Sequence, residues 1–210
     1  MNLSSFIFER GRIISIYGES GVGKTLLSLQ LALDIRPSVF ISTEGTDFES
    51  RLEKINVGQK TYFIIVDTML GLYNAVINST TYHPKLLIID TANGIYRYEY
   101  NLRNLLKVLT LLKSIYSFSS TNIDTANGIY RYEYNLRNLL KVLTLLKSIY
   151  SFSTTNILLT WQVSFNNNVA GGKIMRNLSD DIMRMTKSYL IGNLRKCKFK
   201  ITDKGVIGCL

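Results

Sequence analysis

The chain has 210 residues, 46% of them hydrophobic and 19% charged, with a formal net charge of +10. That length suits one domain over residues 1–210 with a sizeable core. No apolar run approaches the ~18 residues of a transmembrane helix, and the start Met1 to Arg10 lacks a basic segment followed by a long apolar stretch, so a cytoplasmic protein with no membrane partner is expected. The positive excess is concentrated late, at Lys173, Arg176, Arg184, Lys187, Arg195, Lys196, Lys198, Lys200 and Lys204. Clustered cations gain affinity by releasing counterions from phosphate backbones, which points to a polyanionic partner.

In chain order, Arg12 to Tyr17 reads as a buried strand and Leu26 to Leu33 as an apolar helix. Between them lies Gly18-Glu19-Ser20-Gly21-Val22-Gly23-Lys24-Thr25, the pattern G-x-x-x-x-G-K-[ST] of a phosphate-binding P-loop. Its glycines let successive N–H groups turn inward on phosphates, and the helix that follows adds the positive end of its dipole. Lys24 then reaches the β- and γ-phosphates of ATP, and the Thr25 hydroxyl ligates Mg²⁺. A glycine-rich turn that binds nothing is the bland alternative, and the flanking strand and helix argue against it.

Ser38 to Thr43 forms a second strand that ends at Glu44-Gly45. A carboxylate at the C-terminal end of a parallel strand lies where α/β sheets bind ligands. Glu44 can therefore orient or deprotonate an attacking water, unless it serves only as an N-terminal acid for the helix expected over Asp47 to Lys54. Two strands then compete to deliver the Asp of a Mg²⁺ site, Phe63 to Asp67 and Leu86 to Asp90, with a helix over Met69 to Ile77 between them. The lone His83 sits in a polar loop.

The run from Asp90 to Ile123 recurs from Asp124 to Ile157, with Ser120 against Thr154 as the single mismatch. Two copies lacking repeat signature residues make a tandem duplication, not a solenoid. Each unit reads as an extended Ile-Tyr-Arg-Tyr-Glu-Tyr segment followed by an amphipathic helix, whose stripe in the first copy is Leu102, Leu105, Leu106, Leu109, Leu112 and Tyr116. One α/β crossover needs a single such helix, so the surplus one is expected to pack on the fold or in an oligomer contact. Asp124 lacks the four apolar residues that precede Asp90 and is read as a relic. The next strand, Asn156 to Gln162, ends at the active-site edge, where the Gln162 amide either senses the γ-phosphate or is simply a polar strand end. Gly171-Gly172 then opens a helix expected to run through Met185. A hairpin is expected from Lys196 to Ile201 and Val206 to Leu210, bringing Cys197 and Cys209 close together as free thiols of a reducing compartment.

Four stretches together resemble the RecA/RadA recombinase superfamily, and most of all its small archaeal RadB-type paralogues. They are Gly18 to Thr25; Phe40 to Leu52; Leu86 to Thr91 followed by Tyr96-Arg-Tyr-Glu99; and Thr160 to Val163 leading to Gly171-Gly-Lys173 and Asn193 to Lys196. The resemblance implies a RecA-like P-loop α/β fold: a mostly parallel central sheet flanked by helices, a C-terminal β-hairpin, and here an extra helix from the duplication. It implies Asp90 as the Mg²⁺ residue, Glu44 as the catalytic glutamate and Gln162 as a nucleotide-to-DNA sensor. Ser164 to Ala170 would be a shortened DNA-binding loop, and the tyrosines alternating with Arg would stack on bases of single-stranded DNA or pack in a strand. The implied partners are single-stranded DNA, a RadA-type recombinase and further copies of the chain. The sequence departs from the pattern in lacking a Phe-x-x-Ala polymerisation element and an ATP-capping proline between Cys197 and Phe199, and in placing Trp161 where the family has Asn. Those departures favour a weakly hydrolysing recombination accessory over a strand-exchange filament. A KaiC-like regulatory ATPase and a nucleotide-binding interaction module without turnover are the competing readings.

Overall fold

Successive side chains of a β-strand point to opposite faces, so a strand covered on both sides is apolar at consecutive positions. The computed structural model describes residues 2–52, 60–95, 126–150, 153–164, 168–202 and 205–209. In chain order the elements are α1 (Leu3–Ile7), β1 (Ile13–Gly18), α2 (Lys24–Asp34), β2 (Ser38–Ser42), α3 (Glu49–Leu52), β3 (Thr61–Ile65) and α4 (Met69–Ser79). There follow β4 (Leu86–Asp90), α5 (Ala126–Tyr150), β5 (Asn156–Gln162), α6 (Gly172–Leu178), β6 (Asp181–Met185), β7 (Tyr189–Gly192), β8 (Arg195–Thr202) and β9 (Gly205–Gly208).

Among the described residues the strands form one sheet in the order β3-β2-β4-β5-β1-β6-β7-β8-β9. The first six in that order are parallel. The last three extend the sheet antiparallel. On one face Ile13, Val39, Ile41, Leu87, Ile89, Leu159 and Trp161 pack against α4, α5 and α6. On the other, Ile14, Ile16, Phe40, Ile88 and Leu158 pack against α1, α2 and the inner residues of the antiparallel strands. Two-sided cover explains why β2 and β4 read as unbroken apolar runs, with every residue buried.

Four expectations need correction. The segment Ile-Tyr-Arg-Tyr-Glu-Tyr is not extended in the second copy, because Ala126–Tyr150 is one continuous helix of 25 residues. Once the leucine stripe nucleates a helix, each added residue costs little, and the i,i+2 alternation of tyrosines is overridden. The same segment of the first copy, together with its leucine stripe, lies outside the described residues.

Secondly, the helix opened by Gly172 stops at Leu178 and does not reach Met185. Ser179 turns to φ −86°, ψ 141°, and the Asp180 carboxylate accepts from the backbone N–H groups of Arg12 and Ile13 at 2.9 Å each. That clamp launches β6 beside β1. Thirdly, β3 ends at Ile65 on the sheet edge, leaving Asp67 exposed beyond it. Finally, Cys197 and Cys209 are joined in a disulfide with Cα atoms 4.8 Å apart. The expected hairpin forms, and the Cys209 N–H donates to the Lys198 carbonyl at 3.0 Å. This register carries the second sulfur onto the first.

Candidate nucleotide-binding site

The site is built at the C-terminal ends of β1, β2, β4 and β5, where a parallel sheet leaves its ligand crevice. β1 ends at Gly18, and the loop turns through Gly21 and Gly23 at φ +78° and +100°, a left-handed region that favours glycine. Gly23 also sits close under the C-terminal hairpin. A Cβ there would lie 2.5 Å from Cδ1 of Ile201, which the C-terminal hairpin lays against the loop. Lys24, 7% exposed, donates from Nζ to the carbonyls of Gly18 at 2.8 Å and Glu19 at 2.6 Å, so its ammonium lies curled inside the loop.

A cavity of about 430 Å³ opens over this loop, and Lys24, Thr25, Glu44, Asp90 and Gln162 all line it. The sequence places these residues on four separate segments, and the sheet order brings them together. Of the other loop residues, Ser20, Gly21 and Gly23 line the same space, while Gly18, Glu19 and Val22 face a second cavity of about 500 Å³ on the far side of the loop.

Asp90 ends β4 with only 5% of its surface exposed. The Thr160 hydroxyl donates to its Oδ1, and the Thr25 hydroxyl lies near enough to favour its ionised form. Burial pushes its carboxyl above the usual range, and the Thr160 and Thr25 hydroxyls with the charges of Lys24 and Arg51 pull in the opposite direction without cancelling the burial. The two residues expected to share Mg²⁺, Thr25 and Asp90, thus lie on the same cavity wall, whereas Asp67 does not line the cavity.

Glu44 lies two residues beyond β2, exposed and on the cavity wall. Gly45 at φ +76° turns the chain after it, and Glu49 fills the first turn of α3, so Glu44 stands outside the helix it might have capped. The segment is anchored by Phe48, which stacks on Phe63 and tilts onto Phe40, both at 5.3 Å between ring centroids. Arg51, one turn further on, also lines the cavity.

Gln162 ends β5 and is held by a residue that sequence reasoning missed. The fully buried Asn93 accepts from the Gln162 N–H at 3.1 Å through its side-chain oxygen. Its amide nitrogen donates to the carbonyls of Gln162 at 3.0 Å and Ala170 at 3.2 Å. One side chain therefore ties the end of β5 to the far end of the loop after it. That loop is closed at its base by a bridge between Val163 and Val169, and residues 165–167 lie outside the described residues. Asn93 sits in Thr-Ala-Asn-Gly, which carries only an ordinary turn signal. Thr160 and Thr43 were hidden among strand threonines, although Thr43 accepts from the Thr91 N–H at 3.1 Å and donates to the Thr91 carbonyl. Trp161 is fully buried, and its indole N–H donates to Ser15 Oγ at 2.8 Å.

The basic region divides by burial. Lys173, Arg176, Arg184, Lys187, Lys196, Lys198 and Lys200 are exposed. Arg195 is not available to a polyanion: its side chain is 8% exposed, pairs with Asp181 and with Glu9 at 2.9 Å, and lies over the Phe6 ring. Lys204 lies outside the described residues.

Comparison with known proteins places this geometry in context. A DNA repair and recombination protein RadB from Methanococcoides burtonii is 32% identical over 106 residues, a stretch that covers 44% of this chain and 46% of that protein. The crystal structure of a KaiC-like protein from the hyperthermophilic archaeon Pyrococcus horikoshii matches with a TM-score of 0.64 over 99% of this chain and 95% of that one. At 14% identity this match establishes the fold, a RecA-like α/β architecture with its C-terminal hairpin strands. The family model described as ATPase: KaiC matches residues 7–202, and the chain belongs to that family of RecA-like ATPases.

Proposed function

We propose that the chain is an ATP-binding, Mg²⁺-dependent ATPase of low turnover that binds single-stranded DNA and assists homologous recombination or repair. The observation that carries this reading is the convergence of Lys24, Thr25, Glu44, Asp90 and Gln162 on one cavity. The residues suit Mg²⁺. Asp90 is a desolvated carboxylate with a hydroxyl bonded to it, and among the described residues no group of three or more His, Cys, Asp or Glu gathers into a self-sufficient cage. One carboxylate and one hydroxyl beside a triphosphate is a donor set that hard, water-retaining Mg²⁺ accepts. When bound, the ion offsets charge that gathers on the phosphate oxygens.

The chain's own residues do the rest. The loop N–H groups and the N-terminus of α2 hold the phosphates, and Lys24 swings from the Gly18 and Glu19 carbonyls onto them. Glu44 positions a water and takes its proton. Gln162 senses the γ-phosphate, and Asn93 relays its position to Ala170 at the end of the loop. DNA binding rests on the exposed cations, and a RadA-type recombinase and further copies of the chain are the partners that fit the RadB likeness. The test is ATP turnover and DNA affinity across a salt series. Single-stranded DNA should alter turnover and bind with a steep inverse salt dependence, whereas absence of DNA binding at low salt, with or without ATP, overturns the reading.

The extent of the family match favours a second reading, since the KaiC model spans residues 7–202 while the RadB alignment spans under half of either protein. A regulatory ATPase acting through protein partners would assemble on ATP and turn over at a rate indifferent to DNA.

A further inference from the structure

The C-terminal hairpin is the outer wall of the nucleotide cavity. Ile201 and Thr202 of β8 line the cavity, and Ile201 packs directly on Gly23. The strand that backs β8 is weakly held. Among the described residues β9 has four residues, stands last in the sheet order, pairs with β8 alone and packs on α2. Val206 is 7% exposed, but its neighbour Ile207 is 54% exposed, so little apolar surface anchors the strand. Gly205 begins β9 close against Gln30 of α2, the helix that starts at Lys24.

What fastens the far end of β9 is covalent. Cys209, immediately after the strand, is bonded to Cys197 of β8. Cys197 is 3% exposed and Cys209 is half-buried, so Cys209 is the more open of the two residues to an incoming thiolate.

We propose that the Cys197–Cys209 disulfide is a redox latch on the nucleotide cavity, closed when oxidised and released by a cellular dithiol. A thiolate of the dithiol attacks Sγ of Cys209, the S–S bond breaks, and Cys197 leaves as a thiolate that takes up a proton. The second thiol of the reductant resolves the mixed disulfide and frees Cys209, so two electrons pass to the protein and the reductant ends as a disulfide. A disulfide oxidant of the same class reverses the sequence. Once released, β9 keeps its backbone pairing, Val206 and its packing on α2 but loses its covalent tie, the hairpin wall loosens, and nucleotide is held less tightly. By linkage, bound nucleotide makes the disulfide harder to reduce. This inference rests on the nucleotide-binding reading.

The experiment titrates a fluorescent ATP analogue into the full chain, oxidised and after dithiothreitol, with free thiols counted in each state. Oxidised protein should bind about fivefold tighter or more than reduced protein, within the usual range of coupling between two sites. Cys209→Ser should bind as reduced wild type does and ignore dithiothreitol. Equal affinity in the two redox states, with thiol counts proving that the bond was first present and then absent, overturns the latch alone. Two free thiols under oxidant also overturn it. No binding in either state, with Lys24→Ala indistinguishable from wild type, overturns both the latch and the nucleotide-binding reading.

Discussion

Residues 90–123 and 124–157 carry one sequence with a single mismatch, yet the fold uses the head of the first and the tail of the second. From the first copy come Asp90 on the cavity wall, Asn93 bonded to Gln162, and the buried Ile95. From the second come Leu139, Val142, Leu143, Leu146 and Tyr150, which fill the crossover slot against the sheet, followed by the start of β5. Ala-Asn-Gly-Ile is a turn entering a helix at 92–95 and helix throughout at 126–129. Identical local propensities thus yield different structures. What differs is the context: Asp90 follows four buried strand residues and Asp124 follows Asn122-Ile123. The remainder of the first copy, residues 96–123, lies outside the described residues.

Substituting twin positions breaks or sharpens this contrast. The largest effect is expected in the slot. Leu143→Ala removes a fully buried side chain and should cost about 2–5 kcal/mol in urea denaturation, while its twin Leu109→Ala should cost under about half that. Equal losses for the two, or a loss seen only in the double variant, would mean that either copy can occupy the slot.

Asp90 and Asp124 come next. Asp90→Asn should reduce Mg²⁺-dependent turnover about a hundredfold or more, with Asp124→Asn unchanged. Stability should move the other way. Burial holds the Asp90 carboxyl above its usual range, and an acid raised in the folded state costs stability as pH climbs from its unfolded value through its folded one. Above that window Asp90→Asn should therefore melt higher than wild type without nucleotide, and the gain should vanish on acidification. A lower melting point at neutral pH would contradict the burial argument.

The smallest effect belongs to Asn93. Asn93→Ala leaves the Gln162 and Ala170 groups without their buried partner, at about 1–3 kcal/mol, and should blunt any effect of DNA on turnover. Asn127→Ala should stay within about 0.5 kcal/mol of wild type. If the two behave alike in both assays, Asn93 is no relay.

The phosphate loop, the strands ending at Asp90 and Gln162, and the C-terminal hairpin were legible because each couples a distinctive local pattern to its flanks. What stayed hidden depends on distant partners. Asn93 looks like any turn residue until Gln162 and Ala170 close on it. Arg195 looks like one more cation until Asp181, Glu9 and Phe6 enclose it. The end of α6 was misplaced because Met183 and Met185, apolar at strand spacing, also fit a helical reading, and only Asp180 on the start of β1 decides between them.

Trp161 is the chain's single tryptophan. Its indole is sealed beneath the sheet with one bond to Ser15, one residue from Gln162 and in contact distance of the Gly171 turn. The molecule therefore carries its own optical probe. Emission from an enclosed indole is expected at short wavelength, and any shift of the β5 end against Gly171 would register as a change in intensity at a single site, with no label attached.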